Sequence, residues 1–243
     1  MSVLVVTGTG TDVGKTIVTA AVAALARDRG SRVAVVKPGQ TGVTINDPGD
    51  LDVVRRLTVV DDLHEHARFP DPLAPAAAAR LSRRPALDVA ASIAYVGELA
   101  ASRDLVVVEG AGGLLVRYDD DGATIADWAR ELDADALVVV HPSLGTLNHT
   151  ALTLEALAHR GVGLAGVVIG SWPTHPDLAS RCNVRDLETL AARPLSGALE
   201  EGAGALGQLE FLLAARAGLE PALGGTFDAR DFRRRHDPWE DTR

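Results

Sequence analysis

Apolar and polar positions fall into two kinds of block along this chain. Short, nearly unbroken apolar runs occupy residues 3–6, 32–36, 104–108, 136–140 and 164–169. Runs of that length, rich in Val and bounded by Gly, Pro or Asp, predict strands buried on both faces. Longer segments with helical spacing lie between them. Residues 15–30 carry Ile17, Ala20, Ala21, Ala24 and Leu25 on one face and stop at Gly30. Residues 50–57, 87–101, about 148–160, 179–192 and 206–218 also read as helices, and 194–197 as a short last strand. Over residues 67–85 Pro and Ala alternate without a clear period, which predicts an extended segment and a short helix. No element is predicted over 58–66 or 114–135. Residues 232–243, FRRRHDPWEDTR, predict a frayed, charged tail, partly ordered from about residue 225, with its three consecutive arginines in solvent. Strands alternating with helices at this spacing predict one α/β domain over 1–243. Its sheet is expected to be doubly wound and mostly parallel, with helices on both faces.

Composition narrows the class. At 243 residues and 47% hydrophobic the chain can fill one large core, and with only 4% aromatics that core is mostly Val, Leu and Ala. A net charge of −9 argues against nonspecific nucleic-acid binding but leaves room for a nucleotide held by local positive groups. Cys182 is the single cysteine, so no intrachain disulfide or cysteine-based metal cluster forms. No apolar run approaches the roughly 20 residues of a membrane span. Met1 leads directly into a strand without a leader. The expectation is a soluble, cytoplasmic protein with neither membrane nor nucleic acid as partner.

The first strand runs into TGTGTDVGKT (7–16), and a helix opens on Gly-Lys-Thr. Glycines there let backbone N–H groups face an anion, Lys15 can reach terminal phosphates, and Thr16 offers a hydroxyl to Mg²⁺. The common phosphate loop has four residues between its first Gly and the Gly-Lys pair. Here five separate Gly8 from Gly14 and three separate Gly10 from it, so the strict spacing fails by one. A glycine-rich turn that binds nothing is the bland alternative.

Further polar residues stand where strands end, the place where open parallel sheets bind ligands. Lys37 and Thr41 follow the second strand in KPGQTG. Asp50 opens the next helix, where it could be a helix cap or a ligand. Glu109 ends the third strand, followed by small residues that allow close backbone approach. Ser143 or Thr146 could cap the helix near 148 and leave an anion site at its N-terminus. His149 has no partner at metal-ligand spacing and reads as structural.

Together TGTGTDVGKT (7–16), KPGQTG (37–42), Asp50, VEGAGG (108–113) and LGTLNH (144–149) resemble the dethiobiotin synthetase family in order and spacing over about residues 3–170. The lengthened loop is the form that family uses. The resemblance implies a P-loop NTPase-type fold, a homodimer, and closure of a cyclic urea from 7,8-diaminononanoate, CO₂ and ATP by way of a carbamate and a carbamic–phosphoric anhydride. It implies Lys37, Lys15 and Thr11 as catalytic residues, with Thr16, Asp50 and Glu109 as Mg²⁺ ligands. It implies nucleotide contacts from Asp12, Val13, Gly14, Lys15, Thr16, Ile17, Asp50, Glu109, Gly110, Ala111, Gly112, Gly170, Ser171, Gly197, Ala198 and Leu199. It implies diamine contacts from Thr41, and from Gly145, Thr146, Leu147 and Asn148 donated by the partner subunit to the substrate carboxylate. The residue chemistry agrees: a negative carbamate approaching a triphosphate needs cations between them.

The chain departs from the family at the base-reading positions. Family members commonly carry Asn-Asp after the strand at 164–169, where this chain has Ser171-Trp172, and a Pro-rich segment where it has Ala198-Leu-Glu-Glu-Gly. Weak discrimination among nucleoside triphosphates is therefore expected. A partitioning-type ATPase switch is the alternative, but it carries an additional lysine near the first loop glycine, and residues 7–13 contain none. An amidotransferase-linked relative from cobalamin synthesis would need a nucleophilic cysteine on a glycine-rich elbow, which Ser-Arg-Cys182-Asn is not.

Overall fold

The computed structural model describes residues 3–238. Seven strands form one sheet in the order β3-β2-β4-β1-β5-β6-β7, parallel throughout. They are β1 (Val3–Gly8), β2 (Val33–Thr41), β3 (Leu63–Phe69), β4 (Leu105–Glu109), β5 (Asp135–Val140), β6 (Leu164–Trp172) and β7 (Gly197–Glu200). The helices are α1 (Lys15–Asp28), α2 (Asp50–Leu57), α3 (Pro75–Ser82), α4 (Val89–Ala100), α5 (Ile125–Glu131), α6 (Thr146–His159), α7 (Leu178–Ala191), α8 (Gln208–Gly218) and α9 (Ala229–His236).

Side chains of a strand alternate between faces, so an unbroken apolar run serves two cores. Val3, Val5, Val106, Val108, Val138 and Ile169 face a core closed by α4, α5, α6 and α7, with Trp128 and Leu187 buried in it. Leu4, Val6, Val107, Leu137, Val139 and Val168 face the opposite core, closed by α1, α2 and α8. The expected doubly wound sheet is present, and α1 packs closely against one face of it, burying a run from Val18 to Ala26 in which five residues are Ala.

Three elements differ from the sequence-based expectation. The second strand does not end at residue 36: β2 runs to Thr41 because β3 pairs beside it, Lys37 opposite Glu65 and Thr41 opposite Phe69. Pairing with β4 stops at Val36, so Pro38, which has no N–H to donate, sits past that ladder. β3 itself, LHEHARF, was not expected; it is a half-exposed edge strand, and its charged and histidine positions carry no apolar run. α5 was not expected either, being seven residues long; Thr124 and Asp127 cap it reciprocally.

The expected tail is partly a helix. α9 buries Phe232 (5% exposed) against Trp172 and Phe227, with His236 also on Trp172. Of the arginines expected in solvent, Arg233 pairs with the buried Glu188, and Arg234 and Arg235 with Asp231. One aromatic anchor in eight residues is too little for a periodic signal. Residues 239–243 of that tail lie outside the described residues. No helix among those described is long and apolar enough to cross a membrane.

Candidate active site

The loop joining β1 to α1 is laid over the end of β6. Gly14 has φ 96°, in the left-handed region. A Cβ there would stand 2.7 Å from the Gly170 carbonyl oxygen, and one on Gly170 would stand 2.0 Å from that of Val13. α1 then begins at Lys15 with no acidic residue in its first turn, so its N–H groups and dipole are open to an anion. Lys15, 7% exposed, folds back and donates from Nζ to the Gly10 carbonyl at 2.7 Å. Burial first, and then the nearby charge of Lys37, bring its pKa down to about 8. The loop thus holds a buried cation that gains from an anionic ligand.

Beside it, β2 and β4 deliver Lys37 and Glu109, and α2 delivers Asp50. Lys37 Nζ lies 2.5 Å from Asp50 Oδ2 and 2.8 Å from Glu109 Oε1, and donates to the Gly110 carbonyl at 3.2 Å. Burial works against the Lys37 charge, but Glu109 and Asp50 outweigh it and hold the pKa above the ordinary lysine value. Burial likewise pushes Asp50 up, and Lys37 outweighs it to keep the carboxyl below its usual range. Thr16 donates from Oγ1 to Glu109 Oε1 at 2.8 Å. Glu109 is fully buried, and its Oε2 has no hydrogen-bond partner among the described residues. Lys15 and Lys37 are the only two lysines in the chain; the other basic residues, histidine apart, are arginines.

These groups share a cavity of about 390 Å³ whose walls include Thr11, Asp12, Gly14, Lys15, Thr16, Ile17, Lys37, Thr41, Asp50, Glu109, Ala111 and Gly112. Val13 turns its side chain into the core, and Gly110 packs on Ile125 while its carbonyl holds Lys37. Gly170 is the shelf under the loop, and Ser171 follows it in β6. Gly197, Ala198 and Leu199 are buried in β7, with Gly197 against Gly218. Gly145, Thr146, Leu147 and Asn148 start α6 and do not line this cavity. Thr146 is buried there and Asn148 exposed. No set of three or more His, Cys, Asp or Glu among the described residues could hold a metal by itself.

Two residues that build the site are not among the candidates read from the sequence, although Gln40 lies inside KPGQTG. Gln40, 5% exposed, accepts the Asp50 N–H at 2.8 Å and so fixes the start of α2. Gly49 occupies the helix cap, which leaves the Asp50 carboxylate for Lys37. Tyr118 is fully buried, accepts the Ala111 N–H at 2.7 Å and packs against Trp128 with ring centroids 5.0 Å apart and planes tilted by 53°. Its ring lies 3.2 Å from where a Gly39 Cβ would be, so one side chain supports both the 37–39 and 110–112 segments. An aromatic in an exposed-looking run, RYDDDG, gives no cue to this.

A phosphate loop on the first βα turn, with a hydroxyl and two carboxylates converging beside it at the carboxyl ends of parallel strands, defines a nucleotide-binding P-loop α/β protein. Residues 2–204 match the family described as AAA domain. Among solved structures, the cell division ATPase MinD of Pyrococcus furiosus is similar at TM-score 0.53 and 18% identity, covering 100% of both chains. A ParA family ATPase of Chlorobium tepidum is similar at TM-score 0.55 and 15% identity, covering 96% of this chain and 98% of that one. At such identities these show the fold alone. Sequence relatives go further. The ATP-dependent dethiobiotin synthetase BioD of Frankia casuarinae is 66% identical over 98% of this chain and 100% of its own. Those of Streptomyces avermitilis and Streptomyces coelicolor are 55% and 52% identical, over 96% and 98% of this chain and 98% and 100% of their own. The chain belongs to the ATP-dependent dethiobiotin synthetase family.

Proposed function

We propose that this protein closes the ureido ring of dethiobiotin from 7,8-diaminononanoate, CO₂ and ATP. The observation that carries the reading is the full-length identity to dethiobiotin synthetases, joined to two buried lysines in one cavity with the phosphate loop. One substrate amine adds to CO₂ and loses a proton to give a carbamate. A carbamate oxygen attacks the γ-phosphorus of ATP, the bond to the ADP oxygen breaks, and a carbamic–phosphoric anhydride forms. The second amine attacks the carbonyl carbon, loses its proton, and inorganic phosphate leaves. Lys15 neutralises the terminal phosphates, and Lys37 the carbamate and the transferring phosphoryl group. Thr11 hydrogen-bonds the carbamate side, and Thr41 the diamine.

Thr16 Oγ1, Asp50 and Glu109 fit a hard divalent cation: all are oxygen donors, and the buried Glu109 Oε2 has no hydrogen-bond partner among the described residues. Mg²⁺ held there would neutralise phosphate oxygens of the nucleotide. The nucleotide-side contacts at Asp12, Val13, Ile17, Gly110, Ala111, Gly112, Gly170, Ser171, Gly197, Ala198 and Leu199 belong to this reading. So does a homodimer in which Gly145, Thr146, Leu147 and Asn148 of one subunit take the substrate carboxylate of the other. Gly145 and Asn148, exposed at the start of α6 and outside the cavity of their own chain, support that sharing. A reaction that consumes ATP belongs where ATP is regenerated, the cytoplasm.

The deciding measurement is phosphate release from Mg-ATP with the diamine and bicarbonate added singly and together. Release that requires both is expected. Release with neither would replace the ligase reading by an ATPase switch.

A further inference from the structure

An ammonium group has three hydrogens to donate. Lys37 donates to Glu109 Oε1 and to the Gly110 carbonyl oxygen, and its Nζ stands 2.5 Å from Asp50 Oδ2 as an ion pair. Its side chain is 4% exposed, so water does not compete for them. Surrounded by these three oxygens, the Lys37 ammonium is turned toward the two carboxylates and away from a carbamate or a phosphoryl oxygen. The two carboxylates that detain it are the same two that offer oxygens to a divalent cation. Thr16, the third such oxygen, is also committed, through its bond to Glu109 Oε1. A doubly charged cation drawn to Asp50 and Glu109 would meet the ammonium already seated between them. Two cations at one buried pair of carboxylates repel strongly.

We propose that Lys37 is an internal counter-ion held between Asp50 and Glu109, the two carboxylates that would also take a divalent cation. A divalent cation arriving with the nucleotide takes over Asp50 and Glu109, and the exchange releases the Lys37 ammonium toward the reacting groups. The chain would then hold its catalytic cation out of use until metal and nucleotide are both in place. The release into catalysis rests on the ligase reading above. The exchange itself does not, and it is tested without diamine or bicarbonate.

The full-length protein is titrated with Mn²⁺ alone, as wild type and as Lys37→Met, which keeps an apolar stem and removes the charge. The variant is expected to bind Mn²⁺ at least about tenfold more tightly than wild type and to gain thermal stability from it, while wild type gains little. Equal affinity in a folded variant overturns the proposal. If Lys37→Met does not fold, wild type supplies the answer, because only two lysines contribute side-chain ammonium signals. With ¹⁵N-labelled lysine, Mg²⁺ plus a non-hydrolysable ATP analogue is expected to move the Lys37 signal away from its carboxylate-bound position. The analogue without metal should leave it there. A Lys37 signal unchanged by the metal complex overturns the exchange. Should phosphate release fail to depend on the diamine while these results hold, the ligase reading falls and the exchange stands.

Discussion

Tyr118 shows how a single buried hydroxyl sets the geometry of a site it does not line. Its oxygen takes the Ala111 N–H, and its ring backs Gly39. Tyr118→Phe keeps the ring and leaves a buried N–H without an acceptor, which costs about 1–3 kcal/mol. A lower denaturant midpoint and weaker nucleotide binding are expected, with the KM for the diamine changed less. Burial pushes the Tyr118 phenol up to about 12. An unfolded tyrosine loses its proton near pH 10. The folded chain therefore holds more protons than the unfolded chain between these values. Its stability is full below about pH 10 and falls as the pH rises toward 12. Unfolding curves of Tyr118→Phe across that window should lack this contribution.

At the scale of elements, the phosphate loop depends on a strand that contributes no charge. β6 presents Gly170 to Val13 and Gly14, and the obstacle to a side chain there is backbone, which cannot swing aside. Gly170→Ala is expected to displace the loop and weaken nucleotide binding by at least about tenfold, measured by calorimetry. Two residues further on, Trp172 is clamped by α9, its ring 5.0 Å from Phe232 and 4.7 Å from His236. Phe232→Ala should cost about 3–5 kcal/mol of unfolding free energy. A change below about 1 kcal/mol would mean that α9 does not brace β6. Trp172 is thereby turned into the core, 5% exposed, and is not available to read a base.

Over the whole molecule, the site divides into what one chain supplies and what a partner would. Lys37 stands inside the cavity and Asn148 outside it. If a dimer shares its sites, mixing Lys37→Ala with Asn148→Ala should restore activity to at most about a quarter of wild type, since half the dimers are mixed and each of these has one intact site. No restoration after subunit exchange would place each site within one chain. If the base lies at the end of β6, it meets no side-chain amide at Ser171-Trp172, and steady-state rates with ATP, GTP and CTP are expected to agree within about tenfold. A thousandfold preference for ATP would require a base contact elsewhere. What the sequence determined by itself was periodic or local. Unbroken Val runs need two buried faces, which dictates a covered parallel sheet. The Gly and Lys-Thr spacing of 7–16 dictates an anion loop; Asp50 and Glu109 could be named because they stand at a helix start and a strand end, and Lys37 because its apolar run ends at Val36, although β2 continues past it to Thr41. β3, α5 and α9 were not legible, because each is seven or eight residues long and lacks a periodic apolar run: β3 is a half-exposed edge strand held by its ladder to β2, and α9 rests on the single buried Phe232. Only the tertiary structure decided that Asp50 is a partner of Lys37 and not a helix cap, that Tyr118 and Gln40 hold the site, and that Lys37 is locked. Those outcomes depend on which buried charges and donors find each other across three separate segments, and a buried group must find a partner wherever the fold has put one.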